Sequence, residues 1–207
     1  MHPNPAFRGA SVERNLDFAR ARGFGVLTIV GPEGPLASHV PFIVDEAGER
    51  LAAHIVRSNP IWSALRSGPG KALVAISGPD GYVSPDWYGD PAFVPTWNYV
   101  AVHVRGELSL APPATLRAHL EALSANFESR LAPKKPWTLD KMAPEALERM
   151  MRMIAPVEMR IDGIDGTWKL GQNKGAAARR SAAEGVGGSS VGADPRALAA
   201  LMREPPV

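Results

Sequence analysis

The sequence predicts an α+β fold in which a small barrel or curled antiparallel sheet carries helices. Two observations lead there. Six or seven β-rich segments come early and return late around a helical stretch, and they lack the βαβ alternation of a doubly wound sheet. The 207 residues suffice for one domain with an appendage, or two small domains, burying roughly 70% of the surface exposed by the unfolded chain.

Each element has its own signal. Ser11 caps a helix through Val12, Leu16 and Ala19, and Gly23 stands where a helix end favours a left-handed residue. Residues 25–30, 36–44 and 50–56 are β-rich and separated by turn residues, which predicts an opening β-meander. Asn59 and Pro60 start a short helix through Trp62 and Leu65 to Gly68, and strands follow at 72–77 and around Tyr82. Val100, Val102 and Val104 alternate with Ala101, His103 and Arg105, so 98–110 reads as a long strand with one buried face. Leu116, Leu120, Leu123, Phe127 and Leu131 then recur at helical spacing, predicting an amphipathic helix of about five turns. A second helix carries Leu147, Met150, Met151 and Ile154, with the Met pair as core filling. Val157, Met159 and Ile161 mark a last strand leading into Thr167, Trp168, Lys169 and Leu170. After Ala183 the run EGVGGSSVGAD reads as a flexible linker before a short helix capped by Asp194 and a Pro-containing tail.

Composition excludes several classes of function. No cysteine is present, which removes disulfides, thiolate zinc sites and a cysteine nucleophile. No signal peptide or apolar membrane span is read, so a cytoplasmic protein without membrane association is expected. A net charge of +2, with scattered Lys and Arg and neither a helix-turn-helix nor a basic stripe, gives no support for direct DNA binding. There is no GxSxG elbow, Walker A loop or GxGxxG after a strand, and catalytic residues stay unknown.

The candidate chemistry concentrates between Tyr82 and Gly106, which holds six of the fourteen Phe, Trp and Tyr residues and therefore suits either a flat ligand or a plain hydrophobic wall. Upstream, the buried faces of the 36–44 and 50–56 strands must coincide, and a tight loop then sets paired positions to a sum of about 93, placing His39 opposite His54. The two imidazoles would lie roughly 5 Å apart at Cβ, as ordinary half-exposed histidines or as the polar floor of a pocket. A metal would need a third ligand, and His103 is the only other strand histidine, so no metal site is expected. Arg57, Ser58 and the amides near Ile61 could receive a phosphate at a helix start, although Asn59 acting as a simple cap explains the same letters. Trp168, Lys169, Gln172 and Asn173 form a late segment dense in hydrogen-bonding groups.

Taken in order, SHVPF at 38–42, HIVRSNPIW at 54–62, YVSPDWY at 82–88, VPTWNY at 94–99 and WKLGQNK at 168–174 resemble the PaiB-like family over about residues 1–175. Members are FMN-binding negative transcriptional regulators, similar in fold to the FMN-binding split barrels, which are homodimers with flavin at the subunit interface. The resemblance implies a mainly antiparallel split β-barrel over 1–175, an extension over 176–207, FMN as cofactor and a homodimer. It implies that Ser38, His39, Val40 and Pro41 edge the isoalloxazine and that His54, Arg57, Ser58 and Asn59 approach the phosphate, with Trp62 in the same block. Trp87, Trp97 and Asn98 would wall the pocket, and Lys169, Gln172 and Asn173 would arrive from the same or the partner subunit. Gly171 departs from the Ser expected in that run, which removes a hydroxyl. A flavin sensor, a flavin-dependent reductase or oxidase, and a haem-binding split barrel with a histidine ligand remain alternatives within this fold.

Overall fold

The computed structural model describes residues 1–89 and 92–206; Asp90 and Pro91 of the aromatic stretch and Val207 of the expected extension lie outside the described residues. The chain opens with α1 (Val12–Arg22), β1 (Phe24–Gly31), β2 (Gly34–Val44), β3 (Arg50–Val56), α2 (Pro60–Leu65) and β4 (Gly70–Val83). It continues through β5 (Thr96–Leu110), α3 (Leu116–Glu128), α4 (Pro144–Arg152), β6 (Ile154–Lys169), α5 (Ala176–Gly187) and α6 (Pro195–Arg203). The six strands bond in the order β1-β2-β3-β6-β5-β4 and close into an antiparallel barrel. Contacts group the chain into a first unit of Ala19–Ala75 and Val104–Gly163, and a second of Met1–Phe18, Ile76–His103 and Ile164–Val207.

In the first unit the period-two pattern holds. Leu27, Ile29, Val40, Phe42, Val44, Leu51, Ala53 and Ile55 are buried, and Val104, Leu108, Val157 and Met159 join them. Gly106 is required where β5 meets β6, because a Cβ there would lie 1.9 Å from the Arg160 carbonyl oxygen. The hairpin parity is as expected, yet its register is not: Phe42 pairs with Ala53, Ile43 with Ala52 and Val44 with Leu51. The reason is the loop. Asp45 N–H donates to the Arg50 carbonyl at 3.0 Å, while the Asp45 carboxylate accepts from the Glu49 and Arg50 amides at 2.8 and 3.2 Å. This closes a longer turn than the tight one assumed, so His39 does not face His54.

Other boundaries shift for similar local reasons. β4 is one continuous strand instead of two. α3 stops at Glu128 and passes into a 3-10 turn, leaving Leu131 52% exposed. Ile154 begins β6 rather than ending α4, and Met150 is exposed instead of filling core.

The second unit overturns the expected linker. Residues 184–187 continue α5, and the connection to α6 bonds back onto β4 through Asp80 N–H to the Ala193 carbonyl at 2.9 Å and Tyr82 N–H to the Val191 carbonyl at 3.2 Å. Ala182, Ala183 and Val186 of α5 and Leu198, Ala199 and Met202 of α6 are buried in one cluster with Val83, Tyr88, Val100, Trp168 and Leu170. Small residues permit this approach: a Cβ on Gly185 would lie 2.4 Å from the Trp87 ring. Trp168 anchors the other side, donating its indole N–H to Asn15 Oδ1 at 2.9 Å, with Phe18 edge-on at 5.5 Å.

Replacing a helical Gly by Ala ordinarily gains about 1 kcal/mol. At Gly185 the displaced Trp87 ring reverses the sign, with overpacking costing about 1–3 kcal/mol. Gly185→Ala therefore lowers the melting temperature by several degrees, while Gly175→Ala, which meets nothing within 4 Å, leaves it near wild type. A Gly185→Ala protein melting above wild type contradicts this packing.

Candidate functional site

A polar cavity of about 250 Å³ lies within the second unit. β5 supplies Thr96 and Asn98 from one face, so Trp97 between them points elsewhere, 47% exposed and edge-on to Tyr82 at 6.4 Å. Asn98 is only 1% exposed, and its Nδ2 donates a weak bond to Met202 Sδ at 3.5 Å. The end of β6 brings Lys169, whose Nζ donates to Thr96 Oγ1 at 2.6 Å. The chain then turns at Gly171, which has φ +84°, a left-handed conformation that a Ser in its place would resist. Gln172 seals the turn: its Oε1 accepts from the Leu170 amide at 2.8 Å and its Nε2 donates to the Trp168 carbonyl at 2.6 Å. Asn173 and Lys174 thereby reach the cavity, with Lys174 Nζ 3.7 Å above the Phe93 ring. His2, Asn4 and Phe7 form another wall, tied down where the His2 amide donates to Thr167 Oγ1 at 3.2 Å.

Among the described residues no carboxylate lines this cavity, and two ammonium groups do. Burial pushes the Lys169 ammonium below the ordinary lysine range, and the charge of Lys174 adds to that shift. An anionic or acceptor-rich ligand relieves both effects. Trp87 is absent from the lining; it packs on α5 instead.

The remaining candidates lie in the first unit. Ser38 accepts from Asn59 Nδ2 at 3.0 Å, His39 is exposed and stacks on Phe24 at 6.1 Å, and Val40 is buried core beside Pro41. The start of α2 offers an anion few amides: Pro60 has no N–H, the Asn59 side chain takes the Ile61 amide at 2.9 Å, and the Asn59 carbonyl takes those of Trp62 and Ser63 at 3.0 and 3.4 Å. Arg57 donates to the Arg152 carbonyl at 3.0 Å and lies 5.8 Å over the Trp62 ring, while Ser58 is exposed on an open cavity. His54 bonds through Nδ1 to Nε2 of His119, 3.1 Å away on α3, and lines a separate apolar cavity.

Structure thus gathers Asn98, Lys169 and Asn173 in one cavity and joins Ser38 to Asn59. It adds His2, Asn4, Phe7, Tyr88, Thr96 and Lys174. Thr96 was readable from its two-residue spacing to Asn98, whereas the N-terminal residues carry no sequence signal.

Residues 1–163 match the family described as "Putative FMN-binding domain". The chain belongs to that family. It is 28% identical over 170 residues to protease synthase and sporulation protein PAI 2 of Bacillus subtilis (strain 168), covering 81% of this chain and 80% of that one, as the PaiB-like resemblance anticipates. Its fold resembles the FAD and heme binding protein from Mycobacterium smegmatis, at 19% identity, 79% and 73% coverage of the two chains and TM-score 0.57. It also resembles the flavocytochrome Anf3 from Azotobacter vinelandii, at 14% identity, 81% and 72% coverage and TM-score 0.59. The FMN-binding family member described here is therefore a flavin-binding split-barrel protein. The donor set of its second-unit cavity, two ammonium groups with amides, a hydroxyl and aromatic walls, fits a part of FMN rich in oxygen acceptors. Among the described residues no helix is long and apolar enough to cross a membrane.

The histidine pair sets a pH dependence. Burial, reinforced by the charge of His54, holds His119 down to about 4, and burial also lowers His54. The folded state thus takes up protons less readily than the unfolded chain, so this contribution to stability is present above the ordinary histidine range and is lost as pH falls toward about 4. Thermal melts at about pH 7 and about pH 4.5 should show a smaller acid-induced fall for His119→Phe than for wild type. Equal falls in both proteins would count against the pair.

Proposed function

We propose that this protein is a homodimeric FMN-dependent sensor with a negative regulatory role in gene expression. The observation that carries the flavin part is the cavity of the second unit, which two lysines line. Lys169, Lys174, Asn98, Asn173 and Thr96 hold an acceptor-rich part of FMN there. Bound FMN supplies redox chemistry, while the protein supplies binding, orientation and charge. At about 250 Å³ the cavity is smaller than the usual range for whole ligands, so it accommodates only part of the cofactor. A second copy completing the enclosure accounts for the rest, and the exposed Trp97 and Val94, 47% and 72% accessible, offer it apolar area. The regulatory part is supported by the PaiB-like resemblance and by the relative whose name is protease synthase and sporulation protein PAI 2.

Flavin fluorescence titration and size-exclusion mass test the reading together. Saturable FMN binding by a species of twice the chain mass is expected, with Lys169→Met weakening affinity by about tenfold, or ~1.4 kcal/mol. A monomer indifferent to FMN would sink the proposal. Steady NADH or NADPH turnover by the loaded protein would replace the sensor by an oxidoreductase.

A further inference from the structure

The first unit contains a second cavity, of about 280 Å³, whose chemistry is opposite to that of the flavin site. Leu120, Leu139, Leu147, Met151 and Ile154 wall it, and the lining side chains with polar atoms are His54, Ser124 and Trp137. The exposed Met150 also contributes, a flexible thioether that adapts to varied apolar shapes. His54 is the informative member. Its Nδ1 is engaged by His119 Nε2 at 3.1 Å, and among the described residues its other ring nitrogen, Nε2, bonds to no protein group.

We infer that this cavity binds a neutral two-ring aromatic molecule bearing one hydroxyl, with His54 as its polar anchor. Size gives the ring count: an apolar cavity of about 150 Å³ holds one benzene, and this one is nearly twice that volume. Neutrality follows from walls that, among the described residues, carry no charged side chain, since an ion buried there would lack a partner. The hydroxyl follows from the imidazole pair. If His54 Nδ1 donates to His119, then His54 Nε2 is an acceptor; if His119 donates, it is a donor. A hydroxyl answers either tautomer, whereas a carbonyl or an indole N–H answers one. Burial favours the neutral form of both rings, in which either one can be the donor.

The FMN-loaded protein is titrated calorimetrically with 2-naphthol and with naphthalene, which share a shape and differ by the hydroxyl. The expected result is saturable binding with at least a tenfold preference for 2-naphthol. His54→Phe, which removes the anchor, reduces that preference to less than threefold, and Leu147→Trp, which fills the cavity, abolishes binding of both compounds. Circular dichroism and the flavin absorption band report whether each variant is folded; if Leu147→Trp is not, the wild-type and His54→Phe preferences decide. Absence of 2-naphthol binding, equal affinity for the two compounds, or a preference unchanged in His54→Phe overturns the assignment.

Discussion

The buried bond from the Trp168 indole to Asn15 is the constraint on which the second unit depends. Both residues are nearly inaccessible, at 4% each, and each would leave a desolvated polar group without the other, at a cost of about 1–3 kcal/mol. Phe18 and the Arg14 guanidinium, 5.2 Å from the ring centroid, hold the indole from other sides. Gly166 allows α1 this close, because a Cβ there would stand 2.0 Å from Asn15 Oδ1. With Trp168 fixed inward, the two-residue period aims Lys169 the opposite way, at Thr96, and the Gly171 turn delivers Asn173 and Lys174. The two lysines of the cavity are therefore aimed by core packing, which brings them to their own contacts with Thr96 and the Phe93 ring.

The same dependence explains what the sequence conceals about the C-terminal segment. A run rich in Gly and Ser is flexible when nothing packs on it, and it permits close approach when something does. Composition is identical in the two cases. Trp87 decides between them here by occupying the space that a side chain at Gly185 would take, and Ala182, Ala183 and Ala199 bring α5 and α6 within contact distance. Trp87 was read as a pocket wall for the matching reason: an aromatic ring suits a ligand and a helix face equally well.

Elsewhere legibility follows the range of the interaction. Alternation along β5 and in the β2–β3 hairpin is a local property, and the burial of Val100, Val102 and Val104 follows directly from it. Register is not local. It turned on whether the Asp45 carboxylate would bond two amides beyond the turn, and that choice moved His54 away from His39. His119, the actual partner, does lie on the inward face of α3 three residues after Leu116, but a polar residue on such a face names no partner across the fold. Asn59 illustrates the reverse case, in which the plain reading of a cap accounts for the Ile61 amide that a phosphate would have used.

The two cavities subject basic groups to one physical effect with opposite consequences for their ligands. Desolvation disfavours the charged form of Lys169 and of His54 alike. Beside Lys169 stand a second ammonium and neutral donors, so an incoming anion restores the charge that burial opposes, and ligand and lysine stabilise each other. Beside His54 in its cavity stand aliphatic, thioether, hydroxyl and indole groups, none of which is an ionic partner that would compensate an ion for its lost hydration. A neutral molecule leaves His54 in the state burial already favours. The charge that each cavity would accommodate is thus set by the neighbours of its basic group, and both sets of neighbours belong to the unit that contains the cavity.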